Sequence, residues 1–213
     1  MTLLKTQIRP ARTVDLPGLA AVLQDAFSDK MRILFSKQPE KVRTVLEAVY
    51  TGPIQRGYDG VLVAERAGRI IGTLLIEPMY YTPEENRQFE HIAVRELGML
   101  RTLWASFLLS WMSHKPQENE AYISDLGVAS DCQNEGVGRQ LLDMAEEWAR
   151  TYGRTHLTLW VAGTNARAIH VYETMGFTIQ KSRRSWLLRV AFGIRVWHFM
   201  EKTVEPLPHD PGW

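Results

Sequence analysis

A glycine-containing turn at residues 133–138 carries the clearest chemical signal in this sequence. It lies between a strand-like run, residues 121–128, and a segment in which apolar residues recur every three or four positions, as in a helix. The first backbone N–H groups of a helix have no partner within it, and the helix dipole adds partial positive charge there. Glycine lets such a backbone approach a ligand closely. The turn therefore predicts a site for a phosphate or pyrophosphate group.

Other phosphate-binding motifs fit this turn less well. A dinucleotide-binding turn has a third glycine three residues after the second, and that position is Leu141. Such a fold also ends the next strand with an acidic residue, where Trp160, Val161 and Ala162 stand. Many nucleotide triphosphatases carry a phosphate-binding loop with the pattern Gly-x-x-x-x-Gly-Lys-Ser/Thr. The sequence contains no such pattern, so this class of enzyme is disfavoured. Taken alone, the two glycines have a simpler explanation, which is a tight turn that binds no ligand.

The turn resembles the acyl-CoA signature of the GNAT N-acyltransferase superfamily. That signature reads glutamine or arginine, two residues, glycine, one residue, then glycine or alanine, and Gln133, Gly136 and Gly138 occupy these positions. A second segment, residues 165–177, is similar to the family's next helix, with Asn165 near its start and Tyr172 shortly before Gly176-Phe177. Both motifs stand at the family's spacing, so the chain is identified as a member over residues 121–177.

The resemblance implies direct transfer of an acetyl group from acetyl-CoA to a primary amine of a small molecule or protein. Main-chain groups of the turn would hold the pyrophosphate, the preceding strand would pair with the pantetheine amides, and the second motif would bind the cofactor arm. The cofactor-binding residues so implied are Leu126, Val128, Gln133, Asn134, Glu135, Gly136, Val137, Gly138, Arg139 and Asn165. Tyr172 would be catalytic and donate a proton to the departing thiolate, because a phenol with a pKa of about 10 is protonated at neutral pH.

The group that takes the proton from the amine is left open by the sequence. By strand alternation, Ser124 shares a face with the predicted cofactor-binding residues of its strand, whereas Asp125 points to the other face unless a bulge turns it. Glu77 and water are further candidates. Relatives similar to ribosomal-protein N-terminal acetyltransferases carry an acid on the strand before the second motif, where this chain has Trp160. That departure argues against the same substrate.

The order of the periodic segments predicts the fold class. A strand near residues 8–11, helices to about residue 27 and at 40–50, and a hairpin at 60–76 precede the alternating strands and helices of residues 121–175. Two closing strands follow, at 177–183 and 196–204. Together with the resemblance, this order predicts an α/β GNAT fold with a mixed central sheet of about six to seven strands flanked by helices. An extra apolar helical insert precedes the cofactor-binding strand.

Length and composition restrict the remaining possibilities. The chain has 213 residues, and this length predicts one domain over residues 1–204 with an extended tail at 205–213. A formal net charge of +1 predicts no general attraction to nucleic acid. Cys132 is the single cysteine, interpreted as a small turn residue, and with no signal-like start to the chain a cytoplasmic location is expected. Because His and Cys residues lack ligand spacing, no metal is expected.

Two apolar segments exceed what such a domain needs, at residues 86–116 and 185–194. The first contains Leu100, Leu103, Trp104, Phe107, Leu108, Trp111 and Met112 at helical spacing. It is too short to span a bilayer, which requires about 20 apolar residues. The favoured interpretation is a pair of buried helices that enlarge the core or form a homodimer interface. A lid over the acceptor groove is the second interpretation, and contact with a membrane surface is the least favoured.

Two other functions are compatible with the same motifs. A catalytically silent module could bind acyl-CoA as a sensor or assemble with a partner, and a membrane-peripheral acyltransferase could use the apolar segments. All three would keep the glycine turn. An enzyme is distinguished by the release of free thiol when it is offered acetyl-CoA and amines.

Overall fold

The structure, a computed structural model, describes residues 5–28, 38–77, 79–112 and 114–205. Its strands are β1 (Gln7–Pro10), β2 (Val61–Arg66), β3 (Arg69–Glu77), β4 (Glu120–Val128), β5 (His156–Ala162), β6 (Thr178–Arg184) and β7 (Val196–Thr203). Its α-helices are α1 (Leu16–Ala26), α2 (Pro39–Gln55), α3 (Pro83–Leu97), α4 (Met99–Met112), α5 (Val137–Thr151), α6 (Ala166–Thr174) and α7 (Trp186–Phe192). Over these residues a mixed, seven-stranded sheet has the order β1-β2-β3-β4-β5-β7-β6, which confirms the predicted α/β class.

The chain divides into two compact units, and β3, β4 and α5 contribute to both. Among the described residues, the first unit contains β1, β2, most of β3, helices α1 to α4, and residues 125–141. The second contains residues 76–77, 115–124 and everything described from Leu142 onward. The single domain over residues 1–204 stays a prediction. Of the predicted tail, residues 206–213 lie outside the described residues.

The hairpin of the first unit closes through a two-residue turn. Ala67 and Gly68 both have positive φ, 51° and 76°, and Arg66 pairs with Arg69 across them. Positive φ at both central residues is the geometry of the turns whose twist matches the flanking strands. The hairpin thus fixes the register of β2 and β3, and Arg9 ties β1 to it through a 2.6 Å ion pair with Glu65.

Helix α2 runs one turn further than the sequence predicts. The turn-forming residues after Tyr50 were expected to end it, yet the helix continues to Gln55 with Pro53 inside its last turn. Proline removes one intrahelical hydrogen bond and crowds the carbonyl four residues before it, which disfavours the helix. Burial of Pro53 and Ile54 favours the extra turn, and the Arg56 amide closes it on the Gly52 carbonyl at 3.1 Å.

The predicted helical insert at 86–116 corresponds to two helices, α3 and α4. A capping box starts α3: the Glu85 amide donates to Thr82 Oγ1 at 3.2 Å, and the Thr82 amide donates to Glu85 Oε2 at 2.7 Å. Gly98, with φ of 83°, separates the helices. No helix in the described part of the chain is long and apolar enough to cross a bilayer.

In the second unit, β5, β7 and β6 form the end of the sheet. β7 pairs antiparallel with the whole length of β5 on one side and with β6 on its other side. A carboxylate of α5 joins that helix to the sheet, since Glu146 accepts hydrogen bonds from Arg150 of its own helix and from Lys202 of β7, the latter at 2.5 Å. The second predicted insert, at 185–194, contains the short helix α7, anchored by buried Leu188.

Candidate functional site

The turn before α5 has the geometry of an anion-binding helix start. Asn134 and Gly136 adopt left-handed backbone conformations, with φ of 69° and 79°. The first intrahelical hydrogen bond of α5 runs from the Gln140 amide to the Gly136 carbonyl, at 3.1 Å. The amides of residues 137–139 therefore precede the hydrogen-bonded ladder and are the unpaired donors that a phosphate requires. The glycine at 136 is needed because its backbone angles are strained for a branched residue.

A glycine in β3 places this helix start close to the sheet. A Cβ at Gly72 would lie 2.9 Å from Val137 Cγ1 and 3.0 Å from Leu141 Cδ1. The first distance is shorter than real Cβ contacts and the second is tighter than nearly all of them, so a larger residue here would displace the Val137 and Leu141 side chains at the start of α5. Gly72 is a positioning residue that the sequence patterns did not single out, since a glycine within a strand is an ambiguous signal.

The acidic side chains beside the turn are neutralised by arginines of the β2–β3 hairpin. Arg66 pairs with Glu135 at 2.5 Å. Arg69 donates two hydrogen bonds to Asp131, at 2.6 Å and 3.0 Å, and so holds the pKa of that carboxyl below its usual range. Because both carboxylates are paired, the turn carries little unbalanced negative charge that would repel a phosphate.

Replacing one of these arginines is expected to weaken the binding of acetyl-CoA, the ligand that the sequence predicts for this turn. Arg66→Ala leaves Glu135 unpaired within the turn, and the dissociation constant should rise by about two- to fivefold, as expected for an exposed ion pair. Calorimetry at low and high salt measures the dissociation constant, and the difference between Arg66→Ala and the parent should shrink at high salt.

The matched control for this prediction is Arg66→Ala/Glu135→Gln, which removes both charges. Parental affinity in the double variant would confirm that the unpaired carboxylate causes the loss. If the single variant binds as tightly as the parent at low salt, the pair has no influence on the ligand.

The strand that leads to the turn leaves part of its edge outside the pairing with β5. The parallel register between β4 and β5 covers Glu120–Ile123 on β4, so its last five residues lie beyond the paired segment. Two predicted cofactor-binding residues, Leu126 and Val128, belong to that part. Val128 adjoins the turn directly, because Gln133 Nε2 lies 3.4 Å from its carbonyl oxygen. Main-chain groups along this edge are suited to pair with the amides of an extended ligand.

Asn165 and Tyr172 lie in the second unit, on and beside α6. Asn165 Oδ1 accepts a hydrogen bond from the Ala168 amide at 3.1 Å and caps the helix, so its exposed side chain has a structural role besides the predicted one. Tyr172 is 8% exposed, and burial raises its pKa to about 12. Its ring centroid lies 5.8 Å from that of Phe177. The phenol is therefore protonated throughout the physiological range.

Three side chains were candidates for accepting the proton of the amine. Asp125 is half-buried in the first unit and accepts a hydrogen bond from the Tyr50 hydroxyl at 3.2 Å. Ser124 Oγ is buried without a hydrogen-bond partner in the described structure, and a hydroxyl is a poor base. Glu77 is half-buried at the end of β3. Tyr50 received no role from the sequence, because its contact with β4 is a tertiary one.

The structure thus assembles the predicted phosphate-binding residues with Leu126, Val128 and Asp125 in the first unit, while Asn165 and Tyr172 lie together in the second. Cys132 is buried in a short 3-10 helix, Ser130–Cys132, and burial raises the pKa of its thiol. That environment suits a small packing residue rather than a nucleophile. Within the described ranges, His, Cys, Asp and Glu form no group of three or more that could hold a metal ion.

Comparison with known proteins identifies the family. The model of the acetyltransferase (GNAT) family matches residues 22–177, which include both motifs and the whole turn. The chain belongs to the GNAT family. The resemblance inferred from the two motifs is therefore confirmed.

Individual relatives of this GNAT protein match only part of it. It is 32% identical over 81 residues to an uncharacterized N-acetyltransferase of Methanocaldococcus jannaschii, covering 38% of this chain and 36% of the relative. It is 39% identical over 66 residues to the streptothricin acetyltransferase of Streptomyces lavendulae, covering 31% and 35%. The chain thus spans about a third of the length of these curated relatives.

A solved structure shows the same fold over nearly the whole GNAT chain. The ribosomal-protein-S18-alanine N-acetyltransferase from Escherichia coli superposes with a TM-score of 0.60, at 16% identity, covering 98% of this chain and 100% of the other. At this identity the likeness concerns the fold alone.

Proposed function

We propose that this protein is an N-acetyltransferase that moves an acetyl group directly from acetyl-CoA to a primary amine of a small molecule or protein. The observation that supports the proposal is the turn before α5, which combines unpaired helix-start amides, left-handed backbone at Gly136 and acids paired with arginines. Family membership supports the chemistry.

The direction of β4 indicates where the acyl group would lie. The strand runs toward the turn, so a donor whose pyrophosphate binds at residues 136–139 extends its pantetheine arm back along residues 124–128 of β4, which lie beyond the pairing with β5. From Val128 to Asp125 the strand covers about 10 Å, at about 3.3 Å per residue. The thioester is therefore proposed to lie beside the first residues of that stretch, next to Asp125 and its partner Tyr50.

Two side chains are proposed for the proton transfers. Asp125 accepts a proton from the ammonium group, and the neutral amine then attacks the carbonyl carbon of the thioester. The carbon–sulfur bond breaks, and the Tyr172 hydroxyl gives its proton to the departing thiolate. The attacking nitrogen, which carries an extra proton after the attack, releases that proton to water, so that the products are an acetamide and free coenzyme A. Exchange of protons with water returns both side chains to their starting states. The high pKa of Tyr172, about 12, keeps the donor form available.

A thiol-release assay tests the function as a whole. Acetyl-CoA is offered together with amino acids, polyamines, aminoglycosides and peptides with free N-termini, and the release of coenzyme A is followed with a thiol reagent. Streptothricin is added to the set because a relative is named as its acetyltransferase. Amine-dependent release supports the proposal. Tight binding of acetyl-CoA without release for any amine would instead indicate a silent acyl-CoA-binding module.

Gly138→Val is expected to weaken acetyl-CoA binding by at least about tenfold, because each lost or displaced phosphate hydrogen bond to a charged group is worth about 1.5–3 kcal/mol. The free protein should tolerate this change, since a Cβ at Gly138 meets only Val128 Cγ2, at 3.7 Å. The same change at Gly136 would be harder to interpret, because its φ of 79° is strained for valine. Calorimetry with acetyl-CoA measures the affinity.

Gln140→Val is the matched control, because it places the same valine side chain at an exposed position of the same helix. Residue 140 follows the unpaired amides of residues 137–139. This variant should bind acetyl-CoA as the parent does. Equal affinity of folded Gly138→Val and the parent would show that the ligand does not approach this backbone, and the assignment of the turn would be wrong.

A further inference from the structure

Helix α4 turns its apolar side outward. Ala105 and Leu108 are buried, at 4% and 0% exposure, and they define the stripe that packs on the rest of the first unit. The opposite side carries Leu100 and Leu103, which are 86% and 59% exposed. The large apolar residues of α4 that are exposed are Met99, Leu100, Leu103, Trp104, Phe107 and Leu109. The interpretation that this helix simply enlarges the core is therefore wrong for the single chain.

No charge interrupts this outward surface. Arg101 is the single charged residue of α4; it is exposed, but it stands four positions before Ala105 and therefore on the side of the helix away from Leu103. Apart from Arg101, the exposed polar residues of α4 are Ser106 and Ser110, both small. A helix normally faces water with its polar side, so the reversed pattern indicates a surface that another molecule covers.

The size of the patch fits the centre of a protein interface. The six large side chains are between 43% and 86% exposed. Together they leave on the order of 500 Å² of apolar area, near the upper end for a monomer. A stable dimer buries about 800 Å² on each partner, with an apolar centre and a polar rim. The exposed charges of neighbouring α3 have both signs, as in Glu84, Arg87, Glu90 and Arg95, and can supply such a rim.

We propose that α4 packs on α4 of a second copy of this chain, across a two-fold axis. An uncharged apolar helix face is complementary to itself, and a rim of both signs can pair with its own symmetry mate. A lipid surface fits less well. Helices α3 and α4 together carry four glutamates and three arginines. Helices that lie on anionic membranes instead carry an excess of lysine and arginine.

The oligomeric state in solution tests this interface, and it does not depend on the proposed acetyl transfer. Sedimentation velocity of the full chain, from low to high micromolar concentration, should show a dimer. Leu103→Glu puts a charge at the centre of the patch and should give the monomer, while circular dichroism should stay parental because the side chain is exposed. Val14→Glu is the matched control, since Val14 is 79% exposed but lies outside α4, and it should stay dimeric.

Each contrary result overturns the proposal. A monomeric parent at high concentration would exclude the dimer, and a dimeric Leu103→Glu would place the interface on another surface. Leu100→Glu, at the most exposed position of the patch, gives the same decision if Leu103→Glu does not fold. Flotation with vesicles of phosphatidylcholine and phosphatidylglycerol, abolished by Leu103→Glu, would show that a membrane rather than a second copy covers the helix.

Discussion

Tyr172→Phe is expected to lower kcat by about 100-fold or more, because general-acid contributions are typically about 10²- to 10⁴-fold. The substitution keeps the ring that packs 5.8 Å from Phe177 and removes only the hydroxyl. The affinity for acetyl-CoA should therefore change little, and the loss should appear in the chemical step. Single-turnover measurements with saturating acetyl-CoA isolate that step from product release.

The pH profile gives this role a second test. A group whose pKa is about 12 is protonated at every pH at which the assay is run, so Tyr172 should produce no fall in rate between about pH 7 and 10. A fall centred near the ordinary phenol pKa of about 10 would show that the side chain is solvated during turnover.

Tyr152→Phe is the matched control for the tyrosine variant, because it removes a hydroxyl from a half-exposed ring at the end of α5. It should keep the parental rate. Unchanged single turnover in Tyr172→Phe would exclude the hydroxyl as the proton donor and would leave water to protonate the thiolate.

The parts of the site that depend on local sequence could be predicted. The turn at residues 133–138 follows from glycine placement and from the change between strand and helix periodicity, and the structure has strand, turn and helix in that order. The alternation of strands and helices after residue 120 was equally clear, since each element shows its period within one window. These elements place the predicted phosphate-binding residues, and family membership confirms the resemblance that the two motifs indicated.

The contacts that complete the site could not be predicted, because they join distant parts of the chain. Tyr50 meets Asp125 across 75 positions, and Arg66 meets Glu135 across 69. Nothing in the local pattern of either partner indicates the other. The outward face of α4 is a related case, since helical periodicity shows that apolar residues share a side but does not show whether that side is covered.

Asp125→Asn is expected to lower kcat/KM by about 100-fold near neutral pH, in the range typical of a lost general base. Asparagine keeps the size of the side chain and can still accept the hydrogen bond that the Tyr50 hydroxyl donates at 3.2 Å, so the fold should be unchanged. What it loses is the negative charge and the capacity to take a proton. Steady-state kinetics with the best acceptor from the amine set measure the effect.

A series of acceptors with different amine pKa values separates a base from a binding residue. If Asp125 removes the proton, the defect of Asp125→Asn should shrink as the amine pKa falls, because a weakly basic amine is already neutral at the assay pH. If Asp125 only attracts the charged ammonium group, the defect should appear as a raised KM. Glu77→Gln is the control carboxylate, and its rate should be parental. A large loss in Glu77→Gln together with a parental Asp125→Asn would move the base from β4 to the end of β3, where the same amine series would test it.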